Sequence, residues 1–303
     1  MKRDLQALTN SRFGVRFALW IGRNTPLPFA YRFGNWLADQ FARRDNAMTR
    51  AVRANQWVVR GETASPAELK QYVRQVFRHA ARCFADLYHR LHSPEEMKRI
   101  VPLTPEAEDI IAHSGFDTPG AFVVAPHLSA FDLVLMTVAY HGMNGMVLTH
   151  GRPTGGYEIQ NRLRAETGLQ IVPLRGPETE AQAIEYMRAG GIAITGVDRP
   201  LRNKKKRVHF FGRPSPLPTG HIRMALAADV PVVVAAAQQQ PDEKYHIRVS
   251  PPIPMRRMND PEAEIRRNAE AVLEVMAEYI RQHPEQWLMY YPVWPEAMEE
   301  LFG

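Results

Sequence analysis

The residues best suited to chemistry lie in the segment Phe122-Val123-Val124-Ala125-Pro126-His127-Leu128-Ser129-Ala130-Phe131-Asp132. An apolar run ends at a proline. A histidine follows, and an aspartate stands five residues after it. An imidazole needs a partner on Nδ1 to set its tautomer and leave Nε2 free as a base. An aspartate on the first turn of a following helix can reach back to supply one, which makes His127 and Asp132 the candidate dyad. By itself the spacing is a weak signal, since a capping aspartate beside an incidental histidine produces it too. Its setting between a strand and a helix adds weight, because residues leaving the C-terminal end of a sheet strand are placed for function.

Other chemistries lack their residues. There is no G-x-S-x-G nucleophile elbow, no G-x-G-x-x-G, no P-loop and no H-E-x-x-H. His150, His209 and His221 fall in or near predicted loops without ligand spacing, so neither a metal nor another cofactor is expected. The single cysteine, Cys83, excludes a disulfide framework and reads as a small buried hydrophobe within a helix that also carries His79.

These residues need a scaffold. The 303 residues, 45% hydrophobic and 23% charged, suit a globular protein and exclude disorder, collagen and a coiled coil. From about residue 119, short β-rich runs alternate with helical ones. Strands are expected at 121–125, 146–149, 169–174, 191–197, 208–211, 230–237 and 245–249. Helices are expected between them at 127–140, 157–167, 178–189 and 219–228, with a last one at 261–283 stopped by Pro284. This alternation argues an α/β fold: a central, mostly parallel sheet flanked by helices. Upstream, 65–91 reads as a long helix with Ser65 as N-cap and Pro66 at its first position.

Charge is unevenly spread. The net +6 is concentrated in residues 1–60, where Lys2 and ten arginines face three aspartates (Asp4, Asp39, Asp45). The same stretch is aromatic, and Phe29, Phe33, Leu37 and Phe41 recur on one helical face. A basic, aromatic amphipathic helix reads as a membrane-interface element, and equally as a helix packed on the main domain with solvated arginines. No nucleic-acid motif accompanies the basic residues, so nucleic acid is not an expected partner. No run of about 20 apolar residues is present, and mean hydropathy is -0.34. No secretory signal is read at the N-terminus. The expected organisation is a helical N-terminal region over 1–60 and an α/β domain over 61–303, continuous with it. The charge run Arg202–Arg207 reads as a loop, either solvated or attracting an acidic carrier, phosphates or anionic headgroups.

The strand-His127-x4-Asp132 unit resembles the HX4D signature of the glycerolipid and lysophospholipid acyltransferase superfamily. Further blocks are similar to one branch, the bacterial late acyltransferases of lipid A and the phosphatidylinositol mannoside acyltransferases. They are Arg164-Ala-Glu-Thr-Gly168, Gly168-Leu-Gln-Ile-Val-Pro-Leu-Arg175, the strand ending at Asp198-Arg199, Phe210-Phe211-Gly212 through Gly220, and His283-Pro284-Glu285-Gln286-Trp287 with Trp294. They run in order from about 119 to 295. Where that branch has an acidic-glycine-threonine block, this chain has Val197-Asp198-Arg199-Pro200.

The resemblance implies a glycerolipid-acyltransferase-like fold and transfer of a fatty acyl group to a hydroxyl of a lipid or glycolipid. The implied donor is a thioester, acyl-CoA or acyl-carrier protein, used without a covalent enzyme intermediate. His127 would be the base and Asp132 its orienting partner. Arg164 or Arg175, with backbone N–H groups of the 127–132 turn, would steady the oxyanion. Asp198 and Arg199 would bind polar groups of the acceptor. The expected partners are a membrane surface, the donor and the acceptor, with a peripheral location on the cytoplasmic face of the membrane. A non-catalytic lipid-binding protein on the same scaffold, or a hydrolase using the same dyad, are the competing expectations.

Overall fold

A computed structural model describes residues 12–113, 120–152, 155–201 and 207–303. The first four helices are α1 (Arg12–Asn24), α2 (Leu27–Ala42), α3 (Ala47–Val59) and α4 (Pro66–Arg90). Sequence caps mark their starts. Asn46 and Thr49 exchange side-chain-to-backbone bonds at the head of α3, and Ser65 and Glu68 do so at the head of α4. Helix α4 is the spine of this layer. Its apolar stripe, Leu69, Val73, Val76, Phe77, Ala80, Cys83 and Leu87, is buried, and α1, α2 and α3 all pack on it. The next two helices, α5 (Pro94–Ile100) and α6 (Pro105–Ala112), are short. Each starts with Pro after a capping Ser93 or Thr104.

The sheet follows: β1 (Ala121–Ala125), α7 (Phe131–Tyr140), β2 (Gly145–His150), α8 (Gly156–Ala165), β3 (Gln170–Leu174), α9 (Pro177–Arg188) and β4 (Ile192–Gly196). A two-stranded ribbon, β5 (Val208–Phe210) and β6 (Arg213–Ser215), stands apart from the sheet. The chain returns through α10 (Gly220–Ala228), β7 (Val232–Gln239) and β8 (Tyr245–Val249), and ends with α11 (Pro261–Gln282), a 3-10 turn at Pro284–Gln286 and α12 (Pro295–Phe302).

The six strands stand in the order β3-β2-β4-β1-β7-β8. All neighbouring pairs are parallel except β7–β8. The α/β expectation therefore holds, with β1 and β4 in the middle. The central strands bury both faces, which is why 121–125 reads as an unbroken apolar run rather than an alternating one. Pro173 is accommodated because β3 is an edge strand. Strand β7 starts at Val232, after Pro231, which has no N–H for the ladder, and runs two residues past the expected end to Gln239.

The stripe expected on α2 divides along its length. Phe41 stacks on Phe77 of α4 with centroids 6.4 Å apart, whereas Phe29 is exposed. One end of the stripe is therefore packed on α4, and the other is left exposed. Among the described residues no helix is long and apolar enough to cross a membrane. The charge run at 202–207 lies outside the described residues up to Arg207, which pairs with Glu296.

Candidate active site

The site grows from the C-terminal ends of β1 and β4. These strands pair in parallel with Ala125 level with Gly196. Two residues beyond each, His127 and Asp198 emerge side by side. Pro126 ends the ladder of β1, and the chain turns through Ser129, whose φ of 50° is left-handed, before α7 begins.

The C-terminal segment clamps this turn. Leu288 N–H donates to the carbonyl of His127 at 2.8 Å, and Ser129 N–H donates to the carbonyl of Gln286 at 2.8 Å. Gln286 is fixed in its turn to the end of β7, accepting from Gln239 N–H at 2.8 Å and donating to its carbonyl at 2.9 Å. On the inner side Ser129 Oγ lies 2.9 Å from His79 Nε2 on α4, with Cys83 Sγ 3.4 Å from the same nitrogen. Burial drives the His79 pKa down to about 4, so this ring is neutral at physiological pH and serves as a hydrogen-bond partner.

His127 Nδ1 lies 2.6 Å from Asp198 Oδ1. Asp198 Oδ2 accepts from the His127 backbone N–H and from Trp287 Nε1, each at 2.8 Å. The carboxylate is fully buried. Burial alone would push its pKa up. The adjacent imidazole and the three donors outweigh this and hold it below the ordinary carboxylate value. An ionised Asp198 on Nδ1 keeps the proton there and leaves Nε2 as the ring's basic nitrogen. The ring itself is only half-buried, with 30% of its side chain exposed. Phe131 meets it edge-on at 5.0 Å, and Gly196 flanks it on the other side. A Cβ at 196 would stand 2.9 Å from His127 Cε1, so only glycine lets the ring lie against the strand end.

This corrects two expectations. Asp132 does not orient His127; it faces α8, where Arg164 Nε and Nη2 meet its Oδ1 at 2.8 and 2.6 Å. Arg164 is buried, and its Nη1 donates to Asn161 at 3.0 Å. Burial opposes its charge, but Asp132 and Tyr157 outweigh that and raise its pKa. The pair ties the first turn of α7 to α8. Asp198, expected to bind acceptor polar groups, is instead the partner of the imidazole, and burial among three donors leaves it no face toward a ligand.

The remaining arginines are set apart. Arg175 follows edge strand β3, three strands from β1, and its Nε donates to the carbonyl of Gly151 at 3.2 Å. At about 4.8 Å per strand it is not brought to the imidazole. Arg199 is exposed and lies over the Tyr291 ring at 4.0 Å from its centroid, bonding the phenol oxygen. Of the turn N–H groups, those of His127, Leu128 and Ser129 are taken internally. Helix α7 starts without a side-chain cap at Ala130, so its first-turn N–H groups are the donors left beside the imidazole.

Among the described residues no group of three or more His, Cys, Asp or Glu is arranged to hold a metal. The arrangement suits general-base chemistry on a hydroxyl or a water, with an electropositive helix end at hand.

The sequence profile of the bacterial lipid A biosynthesis acyltransferases matches residues 3–295. The chain belongs to this family. Two curated phosphatidylinositol mannoside acyltransferases from Mycobacterium tuberculosis, strains CDC 1551 / Oshkosh and ATCC 25618 / H37Rv, are each 23% identical to it over 184 residues, 60% of this chain. The matched stretch spans 56% of those relatives' length. The hydrogen bonds of the C-terminal block at 283–287 give it a physical role in this chain. Trp287 holds Asp198, and Gln286 holds both the His127 turn and β7. Sequence reasoning placed neither residue in the site, although the block was itself a recognisable signal. Gly196 was missed as well; its signal was its place at the end of a predicted strand.

Proposed function

We propose that this protein is an O-acyltransferase that moves a fatty acyl chain from a thioester, carried by coenzyme A or by acyl-carrier protein, to a hydroxyl of a lipid or glycolipid. The observation that carries this reading is the half-exposed imidazole of His127 with Nδ1 on the buried Asp198 carboxylate. Family membership supports the lipid acceptor and the acyl group.

A hydroxyl is a poor nucleophile at neutral pH, whereas a thioester is already activated, so no enzyme nucleophile is required. Nε2 of His127 takes the hydroxyl proton as the oxygen attacks the thioester carbonyl. The tetrahedral oxyanion is stabilised by the uncapped N–H groups at the head of α7. Collapse breaks the carbon–sulfur bond, and the imidazolium returns its proton to the departing thiolate. Asp198 stabilises the imidazolium throughout. Arg164 and Asp132 act at one remove, holding the head of α7 where the oxyanion forms.

Incubation with acyl-CoA or acyl-carrier protein and a lysolipid or glycolipid tests this. Esterified acceptor is the expected product. Free fatty acid without ester would make the protein a hydrolase. Vesicle binding without turnover of either donor would make it a lipid-binding protein, and either result overturns the proposal.

The N-terminal helices supply the membrane contact in this reading. Phe13, Phe17 and Trp20 stack along α1 with centroids 6.1 and 6.3 Å apart, and Phe29, Phe33 and Trp36 along α2 at 6.2 and 5.9 Å. Phe13 is 73% exposed and Trp20 59% exposed, which is unusual for large apolar side chains in water. Arg16, Arg23 and Arg32 are exposed on the same helices. Aromatics with flanking arginines match the interface between headgroups and acyl chains. Changing Phe13, Phe17 and Trp20 together to serine should abolish co-sedimentation with anionic vesicles while leaving turnover of detergent-dispersed substrate near wild type. Unchanged sedimentation would show that these rings do not dock.

A further inference from the structure

The helical layer contains a cleft of about 650 Å³ whose wall carries five cationic side chains, with Ala42, Gln71 and Gln75 between them. Arg43 closes α2, Arg53 comes from α3, and Lys70, Arg74 and Arg78 come from α4. The one acid in the wall is Asp39. Its two oxygens are fully used, by Arg74 at 2.6 and 2.5 Å and by Arg78 at 2.7 and 2.8 Å. Those two guanidinium groups hold the Asp39 carboxyl far below its usual range, so it stays ionised and still leaves its partners one charge in excess. Nearby Asp45 is engaged by Arg50 at 2.8 and 2.6 Å.

Arg53 is seated by an aromatic ring. Its guanidinium lies over the Phe302 ring, 5.4 Å from the centroid. Forked guanidinium donors match phosphate oxygens, and Lys70 adds a point charge. The volume falls in the range of small-molecule sites and exceeds what a lone phosphate ion would fill.

Location narrows the ligand. Trp36 and Arg43 are seven residues apart on α2, hence two turns along one face. Both are exposed. The cleft therefore borders the end of the stripe that carries the exposed Phe29 and Trp36.

We propose that this cleft binds the headgroup phosphate of an anionic lipid in the bilayer on which the aromatic face rests. This builds on the membrane contact proposed above. A docked aromatic face would bring the cationic wall to the depth of the phosphates, and the cleft would then select anionic from zwitterionic surfaces.

The test uses the full chain and two vesicle compositions, phosphatidylcholine alone and phosphatidylcholine with phosphatidylglycerol. Wild type should favour the phosphatidylglycerol vesicles, and the double variant Arg43→Ala/Lys70→Ala should weaken binding to them about 30-fold, at roughly fivefold per lost cation. Its weak binding to phosphatidylcholine should be unchanged. Arg266→Ala/Arg267→Ala removes the same charge from exposed positions on α11 and should shift binding by less than about threefold. Equal losses in the two double variants would mean net charge acts, not a site, and would overturn the proposal. Retained preference in the cleft variant would overturn it too. Soluble sn-glycerol 3-phosphate, followed by NMR, separates the sources: saturable binding to wild type without any vesicle preference would assign the cleft to a soluble phosphoester. If wild type binds neither vesicle, the membrane contact itself has failed, and the aromatic serine variant will match wild type.

Discussion

Exchanging Asp198 for asparagine should lower kcat for acyl transfer by roughly 10³- to 10⁴-fold in a protein that still folds, the range seen when the carboxylate of a histidine pair is made an amide. The geometry dictates the mechanism of the loss. Oδ2 accepts from two N–H donors, the His127 backbone and Trp287 Nε1, so the amide oxygen must take that position. The amide NH2 then faces Nδ1 of His127, the position Oδ1 holds at 2.6 Å. A donor there forces Nδ1 to accept, the ring proton moves to Nε2, and the base is blocked. His127→Ala should lose at least as much. A steady-state assay with purified variants and circular dichroism as the folding control reads both. Asp132→Asn is the contrast: its link to the chemistry runs through α7, so its loss should be much smaller than that of Asp198→Asn. The opposite ranking would restore Asp132 as the partner of the imidazole.

The contrast also marks how far the sequence could be read. Strands β1, β4 and β7 declare themselves because central parallel strands must be apolar on both faces, and Phe122-Val123-Val124, Ile192-Ala193-Ile194 and Val232-Val233-Val234 are. His127 declares itself by leaving such a strand. Its partner does not, because nearness in sequence favours Asp132, while the real neighbour is 71 residues away. The missing datum is the strand register. With Ala125 paired to Gly196, positions 127 and 198 must come level, but no local pattern says that β1 and β4 are neighbours. Trp287 and Gln286 are hidden for the same reason, since their roles are non-local bonds made by a segment without strand or helix periodicity. The basic N-terminus was legible as charge and aromatic rings; which rings stay exposed depends on what α4 covers.

Arg164→Met should destabilise the fold by roughly 3–5 kcal/mol, the typical result of removing one partner from a buried ion pair. Asp132 would keep its charge at 9% exposure with no cation opposite, and Asn161 would lose the guanidinium it accepts from. The effect should appear as a lower urea midpoint with an unchanged slope. The double variant Asp132→Leu/Arg164→Met should recover much of the loss, because a well-packed apolar pair can replace a buried ion pair at little net change in stability. That non-additivity in a double-mutant cycle separates two roles for the arginine. A residue that only ties α7 to α8 gives back stability and part of the turnover when its carboxylate is removed with it. A residue whose guanidinium touches the oxyanion gives back stability alone, with kcat as low in the double variant as in the single. Of the hydrogen-bond partners of this arginine and its neighbours, Asp132 lies on α7, Asn161 on α8 and Thr149 on β2, and Thr167 lies in the turn that follows α8. Recovery of turnover together with stability is therefore the expected outcome, and it would leave the helix N–H groups as the donors that meet the developing charge.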